Sequence, residues 1–324
     1  MQILHTGYIK RLMCYDKVKL WIPKRFDSYD IDKMTGRLNV GKVSEDIKTG
    51  VVTMSGMIRG MSLYIRPNGL VMVGSLPKFL YNDNIHPLTR KTTRQAIEAL
   101  SDAVGFDVGE ARVSGLEFGM NFVMSNPVSD YLSRLGVYDG ALKRGLWSDS
   151  SLYYKSKSKV LHFYDKVEDA KAKGMPIPKG LEDARILRYE MRLIERVSYQ
   201  LGVNDVRAST LSDRTFYKML VRLYQSFYEK IDKLKKADVI DMNNEKQTPR
   251  KALDCLLGWF ANTYPEKVDD YFKALKEHNK LNDRNDYSRF KTMLKEAMNE
   301  AGGGLEDELI KELDNDVMNL GAYI

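Results

Sequence analysis

The sequence predicts an α+β protein in which an antiparallel sheet is backed by helices and followed by an all-helical C-terminal region. Segments that alternate between apolar and polar residues, the period of β-strands, are concentrated before residue 204. Amphipathic helical stripes lie between some of these segments, as expected when helices pack on a sheet. From about residue 205 onward the only periodicity is helical.

The first part of the chain begins with short strands. The alternating segments predicted to form them are 15–23, 51–61, 62–67 and 70–76. The polar segment 27–46, which contains two glycines, predicts an exposed connection. Residues 89–104 form an amphipathic stripe and predict a helix, and a shorter helix is expected over 128–135.

Three later strands, predicted within 114–122, 160–168 and 186–193, share one property. Each has an apolar face and a polar face, because successive side chains of a strand point to opposite sides. The polar faces carry Glu117 and Asn121, then His162, Tyr164 and Lys166, and then Arg188, Glu190 and Arg192. If these strands are neighbours, a tyrosine, cations and carboxylates converge. Such groups can cut a phosphodiester and retain the cut end covalently.

Composition is that of an ordinary globular protein, with 43% hydrophobic and 29% charged residues among 324. No long apolar run predicts a membrane span, and residues 1–13 lack the apolar centre of a signal peptide. The two cysteines, Cys14 and Cys255, are far apart in sequence, which predicts a reduced, cytoplasmic protein without a zinc site.

Charge divides the chain into two parts. Residues 1–204 contain 31 basic and 22 acidic residues, a balance of +9, whereas 205–324 contain 20 and 22, a balance of −2. We therefore predict two domains with a boundary at 204/205. The basic part contains the polar-faced strands, and a basic surface favours a polyanionic partner such as nucleic acid.

An ordered set of motifs resembles a known family. The motifs at 114–117, 158–168 and 187–192 are similar to those of rolling-circle replication initiators from filamentous phages, the gene II/X type. They also resemble the initiators of Gram-positive rolling-circle plasmids. The strand end at 74–78 and the opening strand at 15–23 fit the same pattern. The resemblance covers 14–204, and no match is found in 205–324.

The resemblance implies a nicking-enzyme-like palm that binds Mg²⁺ or Mn²⁺ and forms a 5′-phosphotyrosine with origin DNA. It implies that Tyr164 is the nucleophile, with Lys166 as a cation beside it, and that Glu117 and Glu190 are metal ligands. Asn121 stands where relatives often have a second acid, and it is the third predicted ligand. The chain lacks the His-hydrophobic-His motif of related enzymes, so carboxylates are expected to bind the metal.

Basic residues around these motifs are predicted to contact DNA phosphates. They are Lys78, Lys155, Lys157, Lys159, Arg188 and Arg192. The expected partners are origin DNA, single-stranded or supercoiled, together with a host helicase and polymerase, and no membrane. Residues 205–324 are expected to serve DNA recognition, partner binding or oligomerisation, including dimerisation.

The sequence alone leaves several alternatives open. Tyr153 and Tyr154 are rival nucleophiles, although stacking or packing suits them better. Glu190 alternates with arginines, so its alternative role is to form cross-strand ion pairs without binding a metal. The same chemistry fits a mobilisation relaxase, and a sheet with basic and aromatic residues also fits a non-catalytic protein that binds single-stranded nucleic acid.

Overall fold

The computed structural model describes residues 13–24, 26, 28–48, 51–66, 68–82, 87–175, 177, 180–234, 248–301 and 308–320. The N-terminal segment 1–12, predicted not to be a signal peptide, lies outside these ranges. No helix in the described ranges combines the length and the apolarity that crossing a membrane requires.

A large antiparallel sheet organises the fold, with strand order β2-β3-β4-β5-β1-β6-β11-β10-β9-β8. A second, two-stranded sheet joins β7 to β12. The strands are β1 (Cys14–Ile22), β2 (Asn39–Asp46), β3 (Val51–Ile58), β4 (Met61–Arg66), β5 (Gly69–Ser75), β6 (Arg112–Val123), β7 (Leu135–Tyr138), β8 (Lys143–Ser148), β9 (Ser151–Lys155), β10 (Lys159–Asp165), β11 (Ile186–Leu193) and β12 (Ile231–Lys233).

Helices pack against this sheet and continue beyond it toward the C-terminus, which confirms the predicted α+β class. They are α1 (Ser28–Thr35), α2 (Leu76–Tyr81), α3 (Arg90–Val104), α4 (Val128–Leu132), α5 (Lys166–Ala172), α6 (Val197–Leu201), α7 (Arg214–Glu229), α8 (Pro249–Thr263), α9 (Pro265–Glu277), α10 (Arg284–Ala301) and α11 (Glu308–Met318). A short 3₁₀ helix spans Ser209–Ser212.

Two local predictions are wrong. The segment 27–46 is not a connection, because it contains α1 and β2; β2 is exposed along its whole length and therefore shows no alternation in sequence. The strand predicted over 160–168 ends at Asp165, whose carboxylate accepts hydrogen bonds from the amides of Val167 and Glu168. This N-cap starts α5 and places Lys166 on a helix.

The apolar face of the central strands is covered by α7. Tyr224 and Tyr189 donate hydrogen bonds to each other's backbone carbonyls at 2.8 and 3.2 Å, and the Tyr224 ring also contacts Phe118. The two helices predicted at 89–104 and 128–135 also contribute to this core, for example through Leu100 and Leu132. Because α7 lies beyond residue 204, the packing does not separate at the predicted boundary: Leu220 and Tyr228 belong to the same core as the sheet.

Candidate functional site

Three neighbouring strands bring the predicted site residues together. In the antiparallel register, β11 lies between β6 and β10, with Arg192 opposite Glu117 and Tyr164 opposite Arg188. Side chains directly opposite one another share a face of the sheet. The predicted convergence of Glu117, Tyr164 and Glu190 on one face is therefore confirmed, and we call this the site face.

A third carboxylate, which the sequence analysis missed, joins Glu117 and Glu190. Asp16 lies in β1, the neighbour of β6, where a bulge falls between Tyr15 and Val18. Carboxylate oxygens of Asp16, Glu117 and Glu190 all lie within 4.8 Å of one another. Strict alternation does not predict which face a residue in a bulge occupies, so the only signal available was an acid in the opening strand.

Arg188 lies at the centre of this cluster. Its guanidinium donates to Glu190 Oε2 at 2.9 Å, to Asn121 Oδ1 at 3.1 Å and to Asp16 Oδ2 at 3.4 Å. The residue is 1% exposed. The predicted DNA contact of Arg188 is therefore wrong, because a side chain without accessible surface cannot reach a phosphate.

Asn121 occupies a position beside Arg188. Its side-chain oxygen accepts the guanidinium hydrogen bond, and the residue is buried. The oxygen predicted to bind a metal is thus engaged with a cation. The carboxylate that completes the group with Glu117 and Glu190 is Asp16.

Arg192 bridges two of the carboxylates at the edge of the cluster. Its Nε lies 2.7 Å from Glu190 Oε1 and 3.0 Å from Glu117 Oε2. Its side chain is 37% exposed, unlike that of Arg188. Arg192 is therefore the partner that can move aside, and its contact with DNA stays a prediction.

The Tyr164 hydroxyl points into the cluster and donates a hydrogen bond to Glu190 Oε2 at 3.3 Å. The residue is 6% exposed. Burial, followed by the charge of Glu190, raises the pKa of Tyr164 well above its usual value. The hydroxyl is consequently neutral at physiological pH, and a nucleophilic role requires a positive charge to stabilise the phenolate as it forms.

His162 is packed between two tyrosine rings, with centroids 3.9 Å from Tyr153 and 4.2 Å from Tyr164. Its Nε2 lies 3.0 Å from Ser151 Oγ and its Nδ1 lies 3.8 Å from Glu190 Oε1. Burial lowers the pKa of His162 despite the opposing effect of Glu190. This packing orients Tyr164, and the stacked position of Tyr153 agrees with the packing role preferred for it.

The two glutamates differ in their electrostatic surroundings. Burial and then the charge of Glu190 raise the pKa of Glu117 to about 8. Burial also raises the pKa of Glu190, but the hydrogen bond with His162 and the charges of Arg188 and Arg192 outweigh it and hold this pKa well below the usual range. Glu117 is therefore mostly protonated at neutral pH, whereas Glu190 is ionised, and a cation bound between them would displace the proton of Glu117.

Lys166 lies at the start of a helix rather than on a strand. It is buried at the start of α5, with Nζ 5.9 Å from the centre of the Tyr164 ring. Burial and then the charge of Arg188 lower the pKa of Lys166 to about 8. The lysine is thus mostly charged at neutral pH and loses its charge at mildly alkaline pH.

The remaining predicted DNA contacts occupy different places. Lys155 and Lys157 are exposed in and beside the turn between β9 and β10. Lys159 is separated from them, because its ammonium lies 3.9 Å from the Phe227 ring of α7. Lys78 is half-buried on α2, and its Nζ lies 3.8 Å from Met175 Sδ. Lys155 and Lys157 are the most accessible cations of this group.

Comparison with known proteins does not assign the chain to a family. No family model and no curated protein matches the sequence. The family resemblance therefore stays a prediction.

Proposed function

We propose that this protein is a metal-dependent, site-specific DNA endonuclease and ligase that starts rolling-circle replication of a small phage or plasmid. The observation that carries the proposal is the position of the Tyr164 hydroxyl, 3.3 Å from Glu190 Oε2. Glu190 also belongs to a group of three carboxylates with oxygens within 4.8 Å of one another. A potential nucleophile and a potential cation site thus share one residue.

The donor set fits Mg²⁺ or Mn²⁺. Carboxylate oxygens are the preferred ligands of these hard cations, and Asp16, Glu117 and Glu190 would hold the ion. When bound, the ion supplies Lewis-acid polarisation of the scissile phosphate and positive charge near the reacting oxygens. Because the pKa of Glu117 is about 8, binding of the ion at neutral pH would release a proton from this carboxyl group.

The reaction is a transesterification at phosphorus. The Tyr164 oxygen forms a bond to phosphorus while the bond from phosphorus to the 3′ oxygen breaks. The proton lost by the tyrosine hydroxyl is balanced by the proton that the departing 3′ oxygen gains. The 5′-phosphotyrosine retains the bond energy, so attack by a later 3′ hydroxyl rejoins the strand without ATP, while the first 3′ hydroxyl primes a polymerase.

The chain's own residues prepare this step. Glu190 orients the Tyr164 hydroxyl, and Arg188 holds Glu190 through a hydrogen bond at 2.9 Å. Lys166 and Arg188 place positive charge near the phenolate, which lowers the cost of forming it. Arg192 is partly exposed beside Glu117 and Glu190, where a scissile phosphate would approach.

A denaturing gel tests the proposal. The protein is incubated with Mn²⁺ and labelled single-stranded fragments tiled across the replicon that contains its gene. We expect a band that resists SDS and disappears on protease treatment. It should be absent with EDTA and with Tyr164→Phe, but present with Tyr153→Phe, which removes a hydroxyl from the neighbouring stack.

A second candidate is a non-catalytic protein that binds single-stranded nucleic acid. It is favoured by the burial of Tyr164, which is 6% exposed and already hydrogen-bonded to Glu190. A protein of this kind shifts labelled DNA in a native gel but leaves no covalent band with any fragment. Adduct formation by Tyr164→Phe would likewise refute the assignment of the nucleophile.

A further inference from the structure

The site face continues beyond the carboxylates across β1, β5 and β4. Lys19 lies opposite Gly115 of β6 on one side and Val73 of β5 on the other. Val71 of β5 lies opposite Trp21 of β1 on one side and opposite Tyr64 of β4 on the other. Opposed residues share a face, so this surface is continuous with the one that carries Glu117.

On β1 and β4 the opposite face belongs to the core, whereas several side chains of the site face are exposed. Leu63 and Ile65 of β4 are buried, whereas Tyr64 between them is 40% exposed and Arg66 is exposed. Lys17 and Lys19 of β1 alternate with buried residues in the same way. Aromatic rings and cations therefore lie on the same surface of the sheet.

Charge on this surface has one sign. Lys17, Lys19, Arg66 and Arg112 are exposed there, and the Arg112 guanidinium lies 5.5 Å from the Trp21 ring centre. Strands β3, β4 and β5 contain no acidic residue. A surface with several cations and no carboxylate on three consecutive strands is complementary to a polyanion.

We propose that this surface, formed by Lys17, Lys19, Trp21, Tyr64, Arg66 and Arg112, binds single-stranded DNA and leads it to or from the carboxylates. Flat aromatic side chains can stack on unpaired bases while flanking cations contact phosphates; the bases of a duplex are not available for such stacking. At about 4.8 Å per strand, β6 to β4 spans roughly 14 Å, the length of about four stacked nucleotides.

This inference rests on the proposed function for the identity of the DNA, but its test does not require cleavage. Binding of a fluorescent oligothymidylate of about 20 nucleotides is followed by anisotropy in EDTA, at several salt concentrations. We expect Tyr64→Ala to weaken binding about fivefold or more, the loss of one stacking contact. The pair Lys17→Ala with Lys19→Ala should reduce the slope of log affinity against log salt by about 1.4.

Matched controls come from outside the surface. Tyr29→Ala removes a ring that is 74% exposed on α1, a helix that lies on the core side, where Thr35 contacts Met54. Lys273→Ala with Lys276→Ala removes two exposed charges from α9. Both controls should keep the parental affinity within about twofold, and thermal melting confirms that every variant is folded.

Surface variants that bind and respond to salt like the controls overturn the inference. It is also overturned if a duplex of equal length competes better than the single strand. The covalent adduct assay reports separately on the proposed function. If the surface variants lose affinity as expected but the protein forms no adduct, the DNA-binding surface is supported and the nuclease proposal is refuted. If the protein forms the adduct but the surface variants bind normally, the nuclease is supported and the DNA-binding surface is refuted.

Discussion

Replacing Arg188 with methionine tests the interpretation of the buried cluster. Methionine replaces the unbranched stem of arginine with an apolar side chain. It removes the guanidinium that contacts Glu190 at 2.9 Å and Asp16 at 3.4 Å. Arg188 is 1% exposed and Glu190 is equally buried. The guanidinium is therefore removed from a place that has almost no exposed surface.

The expected loss is large for a single residue. Removing one member of a buried ion pair costs about 3–5 kcal/mol when the remaining charge is left buried without a partner. Arg192 still contacts Glu190, so we expect a cost near the lower end of this range. The pKa of Glu190 rises when the charge of Arg188 is removed, so this carboxylate takes up a proton more readily, which limits the loss further. A cost of about 3 kcal/mol is still a large fraction of the ~5–15 kcal/mol by which a typical domain is stable.

Urea unfolding at constant pH measures this cost as a decrease in the free energy of unfolding. The control is Arg207→Met, which breaks a partly exposed pair with Asp205 and should cost only about 0–1 kcal/mol. Adding Glu190→Gln to Arg188→Met should recover part of the stability, since it removes a buried carboxylate that has lost one of its two arginine partners. A loss below about 1 kcal/mol for Arg188→Met would contradict the view that this arginine stabilises the cluster.

Three further results are expected. Arg192→Gln should increase Mn²⁺ affinity in calorimetric titration, because the guanidinium now neutralises Glu117 and Glu190; unchanged or weaker binding argues against a metal there. Asp16→Asn should abolish adduct formation while single-stranded DNA binding persists; full activity would exclude Asp16 as a ligand. Lys166 has a pKa of about 8 and is charged below it, so the adduct rate of the parent relative to Lys166→Met should fall as pH rises through 8; parallel pH profiles would remove this lysine from the reaction.

Much of the site could be predicted because alternation along a strand determines which face a side chain occupies. Glu117, Tyr164 and Glu190 satisfy that rule in three regular strands. The position of Asp16 on the site face could not be predicted from alternation, because a bulge interrupts β1. The position of Lys166 could not be predicted either, because Asp165 caps a helix and ends the strand before Lys166.

Other features depend on contacts between residues far apart in sequence. The cover of Tyr189 by Tyr224 joins β11 to α7 and crosses the predicted boundary at 204/205, which no local pattern encodes. Arg188 has the alternation of a surface cation, yet its burial results from partners on β1 and β6. Sequence periodicity distinguishes two faces of a sheet, but it does not reveal that a polar face is itself buried at one place.

The covalent attachment site tests the central claim most directly. Adduct formed with Mn²⁺ and origin single-stranded DNA is trimmed with nuclease, digested with protease and sequenced by mass spectrometry. We predict a nucleotide phosphate on Tyr164, the residue whose hydroxyl contacts Glu190 at 3.3 Å. A nucleotide on Tyr153, Tyr154 or any other residue contradicts it, as does the absence of modified peptide from DNA that has been cleaved.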